Sequence, residues 1–292
     1  MISARQRNIL ARVVFGWILV ALLWRWANGA MLSQLEAPVL GNVYKDLTFW
    51  VFELLGVQHA FTGSFTLALL FDLLLTSSAA IALFAPQKVW AARSYCVLIL
   101  IYFIVQTTYA NHHYRPIIGL VVAGLPFTFL SLDRFNAMFQ GLRYYLLFIY
   151  ASAGLYKVFR GSWLNMDQMT GIIQNTQLEL FLASPDGWHA QLFTWLLQHQ
   201  SVSWMLFLLA TVLEMVFIIG YFTRRYDLWL FITAMSLHIG FYFTMRFFAF
   251  ELIVLDLTLL PWERILSTAR ITKGIAGIST GGPDGLRGTA LP

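Results

Sequence analysis

"MISARQRNILARVVFGWILVALLWRW", residues 1 to 26, sets Arg5 and Arg7 ahead of an apolar run that carries on past Arg12 to Trp26. Signal peptides and first membrane helices share this pattern, but no small-residue cleavage site follows cleanly, so the segment reads as a retained first helix. That reading decides the fold, because runs of the same kind recur along the chain. They occupy residues 65 to 85, 94 to 111, 116 to 132, 144 to 159, 203 to 222, 227 to 244 and 246 to 261, after a first run at 9 to 26. A helix needs ~20 residues to cross the hydrocarbon core, so several runs are marginal in length. Pro116 and Pro126 do not veto the fourth, because neighbouring helices re-satisfy freed backbone groups inside a membrane bundle. The expected fold is all-α, a polytopic transmembrane helical bundle of about eight spans.

Composition agrees. The 292 residues are 59% hydrophobic, 16% aromatic and only 11% charged, with a mean hydropathy of +0.69. So much apolar surface needs lipid to cover it. The net charge of +5 does not point to nucleic acid, because the basic residues form short clusters between apolar runs, where they act as topology signals. With the N-terminus cytoplasmic, thirteen basic residues fall inside, and Arg25, Lys45, Arg115, Lys157, Arg160 and Arg246 fall outside. The excess favours an integral, multi-pass protein of a bacterial inner membrane with both termini cytoplasmic. The single cysteine, Cys96, permits no internal disulfide and no C-x-x-C pair.

Two outer loops, residues 27 to 64 and 160 to 202, carry aromatic and apolar residues among polar ones, as in "KDLTFWVFELLGV" and "HAQLFTWLLQH". These predict helices that lie in the interface or cap the bundle. Residues 1 to 262 read as one transmembrane domain. Residues 263 to 292, with "GIAGISTGGPDGLRGTALP", read as a cytoplasmic, disordered Gly-rich tail.

An ionisable group at the centre of a span costs ~2.5 to 3.5 kcal/mol on insertion scales and needs a partner or a purpose. Asp72, Lys157, Glu214, His238, Glu251 and Asp256 are such groups, with "NHHYR" (111 to 115) at a boundary. Asp72 and Asp256 are assigned structural contacts. Lys157 closes the fifth run; a helix-end lysine commonly snorkels to the interface, whereas one partly desolvated in a cavity serves as a general base. Glu214 is expected to meet a histidine, lysine or arginine across the bundle. His238 stands alone in "MSLHIGFYF", where a hydrogen-bonded core residue is the commoner role. The adjacent His112 and His113 point about 100° apart on a helix and suit one metal poorly. No metal site is expected. The chain also lacks a phosphate loop and H-E-x-x-H.

Three stretches in order carry a resemblance: "NHHYRPIIGL" (111 to 120), "YASAGLYKVFRGSW" (150 to 163) and "LHIGFYFTMRFFAFELIVLDLTLLP" (237 to 261). Over approximately residues 9 to 262 the sequence resembles the horizontally transferred transmembrane (HTTM) family, the membrane module shared with the vitamin K-dependent gamma-carboxylases. The resemblance implies Lys157 as base toward reduced vitamin K or another quinol. It places His112 and His238 with Lys157 as catalytic residues, and Glu214 as an acidic neighbour. Asn111, Tyr114 and Trp163 become the expected cofactor contacts. The implied activity is a gamma-carboxylase-like, quinol-dependent reaction, with a peptide or secreted protein as substrate. The alternative is a non-catalytic scaffold that helps mature or export a secreted peptide.

Overall fold

The computed structural model describes residues 2–35, 50–51, 54–56, 61, 63–109, 117–245, 250–263 and 265. Among them every regular element is helical. Five stretches are long and apolar enough to cross a membrane: Ala4–Gln34, Phe65–Phe84, Val89–Gln106, Gln200–Phe222 and Asp227–Met245. They make this a multi-pass membrane protein by length and composition.

Helix α1 (Ala4–Ala27) starts at a capping box in which the Ser3 hydroxyl accepts from the Gln6 amide and the Gln6 side chain accepts from the Ser3 amide. Reciprocal capping of this kind satisfies two of the amides a helix start leaves orphaned. Ahead of it, the Ile2 amide donates to Asn136 Oδ1 at 3.0 Å and the Asn136 amide returns to the Ile2 carbonyl at 3.3 Å. Helices α2 (Phe65–Phe84) and α3 (Val89–Tyr109) pack beside α1. Phe15 of α1 meets the Tyr95 ring edge-on at 5.5 Å, deep in the main core.

The fourth apolar run is not one spanning helix. It forms α4 (Ile118–Ala123) and a 3-10 turn, Leu125–Thr128, with Pro126 in the first positions of that turn. The last run likewise yields short pieces, α12 (Ile253–Asp256) and a 3-10 turn at Leu257–Leu259. Between them comes α5 (Leu132–Phe159), 28 residues long. It begins twelve residues ahead of the expected 144 because Asp133, Arg134 and Arg143 dilute the apolar signal without breaking the helix.

The chain leaves α5 through Gly161, whose φ of +67° suits the residue without a Cβ. The segment from 160 to 202 then folds into α6 (Gln168–Thr176), α7 (Leu178–Ala183) and α8 (Trp188–Gln198). Their apolar sides share a small core of Met169, Ile173, Phe193 and Leu196 with Phe207 of α9 (Gln200–Val216). They therefore cap the bundle. α10 (Ile219–Phe222) continues α9, and α11 (Asp227–Met245) completes the long helices. The segment from 27 to 64 is described only in part, and the tail lies outside the described residues apart from Glu263 and Ile265.

Candidate functional site

Three residues on one stripe of α5, Tyr150, Gly154 and Lys157, sit at i, i+4 and i+7 and so share a face. Gly154 sets the spacing between helices. A Cβ there would stand 2.9 Å from the Met215 side chain, 3.0 Å from its backbone nitrogen and 3.1 Å from Glu214 Cβ. Only a hydrogen lets α5 come this close to α9.

The close approach brings Lys157 Nζ to both oxygens of Glu214, each at 2.7 Å. The Glu214 side chain is 5% exposed and that of Lys157 23%. Glu214 lies eight residues before Phe222, about 12 Å of helical rise, and fourteen after Gln200, about 21 Å. Glu214 thus lies within the apolar stretch Gln200–Phe222 and not at either end of it. The ammonium also stands 5.4 Å from the centre of the Phe207 ring, within cation–π range.

Lys157 forms the polar end of a cavity of about 130 Å³ between α9 and α11. The walls are largely apolar: Phe207, Ala210 and Leu213 on one side, Leu237, Phe241 and Met245 on the other, with Ser236 and Thr244 among them and Met169 of the cap above. Leu206 and Leu209 also line it and are 37% and 53% exposed, so its open side faces outward between helices that carry lipid-suited surface. Met169 brings the cap to the edge of this cavity.

The same stripe of α5 holds a second polar cluster two turns away. Tyr150 donates to Asp256 Oδ1 at 3.1 Å, and His238 Nε2 lies 2.8 Å from Asp256 Oδ2 and 3.0 Å from the Tyr150 hydroxyl. All three residues are buried. His238 faces this cluster, and the lining of the Lys157 cavity takes its neighbour Leu237 instead.

Of the residues expected at a site, Lys157 and Glu214 are brought together and His238 is not. Trp163 lies on a 3-10 turn beyond α5; its carbonyl accepts from Trp204 Nε1 at 2.8 Å, and its ring is not in the cavity wall. Asn111, His112 and Tyr114 lie outside the described residues. Among the described residues no group of three or more metal-ligating side chains comes together. The sequence reading missed Tyr150, although its i+7 relation to Lys157 stands inside the quoted "YASAGLYK". It also missed the pairing of Arg25 with Glu251 at 2.9 Å. Comparison with known proteins finds no matching family model, curated protein or solved structure.

Proposed function

We propose that this chain is a membrane enzyme of the gamma-carboxylase-like HTTM type, whose Lys157–Glu214 pair handles the proton of a lipophilic, weakly acidic ligand of the quinol class. The observation that carries the reading is the Lys157 ammonium at the end of a largely apolar cavity open on its outward side, held there by both oxygens of Glu214. A hydroxyl arriving at that end gives its proton to Lys157 as Lys157 passes one of its own to the Glu214 carboxylate, so an ammonium stays beside the oxyanion that forms. The net charge of the site is unchanged, which suits a low-dielectric environment. The base expected of Lys157 alone then becomes a property of the pair. His112, Asn111 and Tyr114 as partners for the ring oxygen, and His238 as a further proton-handling residue, rest on the resemblance.

The cavity fits part of such a ligand. At about 130 Å³ it is smaller than the ~300 Å³ at which pockets begin to enclose a whole drug-sized molecule. It takes the hydroxyl-bearing edge of a ring, with the remaining apolar body along Leu206 and Leu209. A quinol would supply the acidic hydroxyl and reducing electrons, and the chain's own residues orient it and hold the proton. A peptide or secreted protein at the outer face, and an inner-membrane setting with both termini cytoplasmic, complete the proposal.

One observation favours a second reading, a non-catalytic scaffold or maturation partner. Arg25, Arg143, Lys157 and His238 each meet a carboxylate, so structural pairing alone accounts for their burial. Turnover separates the two. Protein in lipid nanodiscs is given reduced naphthoquinone under oxygen, and its oxidation products are followed by chromatography. Lys157→Ala is expected to slow the reaction at least ~100-fold, the low end of what a positioned acid or base contributes. Equal rates for wild type and variant overturn the catalytic reading and leave the scaffold.

A further inference from the structure

A larger cavity, about 550 Å³, opens at the other end of the bundle, where α5 and α11 begin and the chain reaches Pro261–Glu263. Its volume falls within the range of about 300 to 1,000 Å³ typical of ligand sites. Three guanidinium groups line it, those of Arg143, Arg224 and Arg225, against the carboxylates of Asp227 and Glu263. Arg143 is 3% exposed. Its Nε and Nη2 hold Asp227 at 2.8 and 2.6 Å, and Nη2 also reaches the Gly220 carbonyl at 2.8 Å. Its buried Nη1 has no acceptor. Arg224 and Arg225 are exposed and their guanidinium groups make no hydrogen bond or ion pair among the described residues; Arg225 lies 5.9 Å from the Tyr226 ring.

The site thus offers two open forks, on Arg224 and Arg225. Forked guanidinium donors match the paired oxygens of phosphate and carboxylate groups. The surroundings say where the phosphate comes from. Phe222, Leu228 and Trp229, 84%, 49% and 67% exposed, extend the rim onto the apolar flanks of α10 and α11. Arginines at the end of apolar helices, beside exposed aromatic residues, form the usual setting for headgroup contact.

We propose that this cavity binds the phosphate of an anionic phospholipid, gripped by Arg224 and Arg225, while the acyl chains lie on Phe222, Leu228 and Trp229. The site is separate from the Lys157 cavity and does not depend on its chemistry.

Native mass spectrometry of the full chain released from detergent micelles tests this, with phosphatidylglycerol or phosphatidylcholine added and dissociation constants read from the bound fractions. Wild type is expected to hold phosphatidylglycerol at least ten-fold more tightly. Arg224→Gln/Arg225→Gln, two exposed positions, is expected to weaken it roughly 10- to 30-fold, at ~1 kcal/mol per arginine. Arg160→Gln, an exposed arginine at the far end of α5, is expected to change nothing. Equal affinity for the two lipids, or a double variant that binds phosphatidylglycerol as wild type does, overturns the proposal. Displacement of the lipid by millimolar sodium phosphate assigns the site to a soluble phosphate and overturns the lipid assignment.

Discussion

A lysine whose ammonium meets both oxygens of one carboxylate at 2.7 Å is half of a neutral unit, and its behaviour follows from that. Removing either partner strands a charge among Phe207, Leu213 and Leu237. Breaking a buried pair costs ~3 to 5 kcal/mol, and the 23% exposure of Lys157 puts Glu214→Gln toward the lower figure. Glu214→Gln and Lys157→Met are each expected to lower the thermal unfolding midpoint in detergent, and the double variant to recover most of the loss. Additive losses would mean that the two residues do not form a unit. The same double variant separates stability from chemistry, since a folded protein without the pair is expected to be inactive toward a reduced naphthoquinone.

At the level of the element, α5 is the spine of the site: its Tyr150–Gly154–Lys157 stripe touches α9, α11 and α12 in turn. Two glycines on this helix predict opposite outcomes. Gly154→Ala places a methyl about 3 Å from Met215 and Glu214 and is expected to cost ~1 to 3 kcal/mol as an overpacked contact. Gly141→Ala meets nothing within 4 Å and is expected to stabilise by up to ~1 kcal/mol, the helix preference of alanine over glycine. Unfolding midpoints compare them directly; equal effects would remove the close-approach role of Gly154. Element boundaries were legible wherever the helix is apolar all round: 65 to 85 became Phe65–Phe84 and 227 to 244 became Asp227–Met245. Hydropathy reads the composition of a run and not its backbone path, so the turn beginning at Leu125 and the short pieces after Leu252 stayed hidden. Glu214 announced its need for a partner because a lone carboxylate in an apolar run is costly. Which partner it takes was illegible, since Lys157 lies 57 residues away and the two meet only because α5 packs against α9, at a spacing that Gly154 permits. Tyr150 carried no such cost signal, as tyrosine is ordinary in membrane helices.

For the whole molecule, the basic residues sort by end. Arg93 Nε donates to the Thr128 carbonyl, Arg7 reaches Leu130, and Arg143 holds the loop before α11, while Lys157 and Arg160 stand toward the capped end. In a Cys96→Ser background, single cysteines at Lys88 and Arg225 are expected to label with an impermeant thiol reagent from one side of sealed vesicles, and a cysteine at Arg160 from the other. Labelling of all three from one side would break this topology. The capped end also holds a contact with a bearing on how the protein is made. Arg25 of α1, 3% exposed, finds its carboxylate in Glu251, 226 residues later in the chain. At synthesis rates of about 5 to 20 residues per second, the first helix waits roughly 11 to 45 s for its counter-charge. Until then Arg25 must remain at the water boundary or lean on Tyr102, which arrives 77 residues after it. A late segment of the chain thus locks the first helix, and a chain stalled before Glu251 would lack the carboxylate that Arg25 meets in the folded protein.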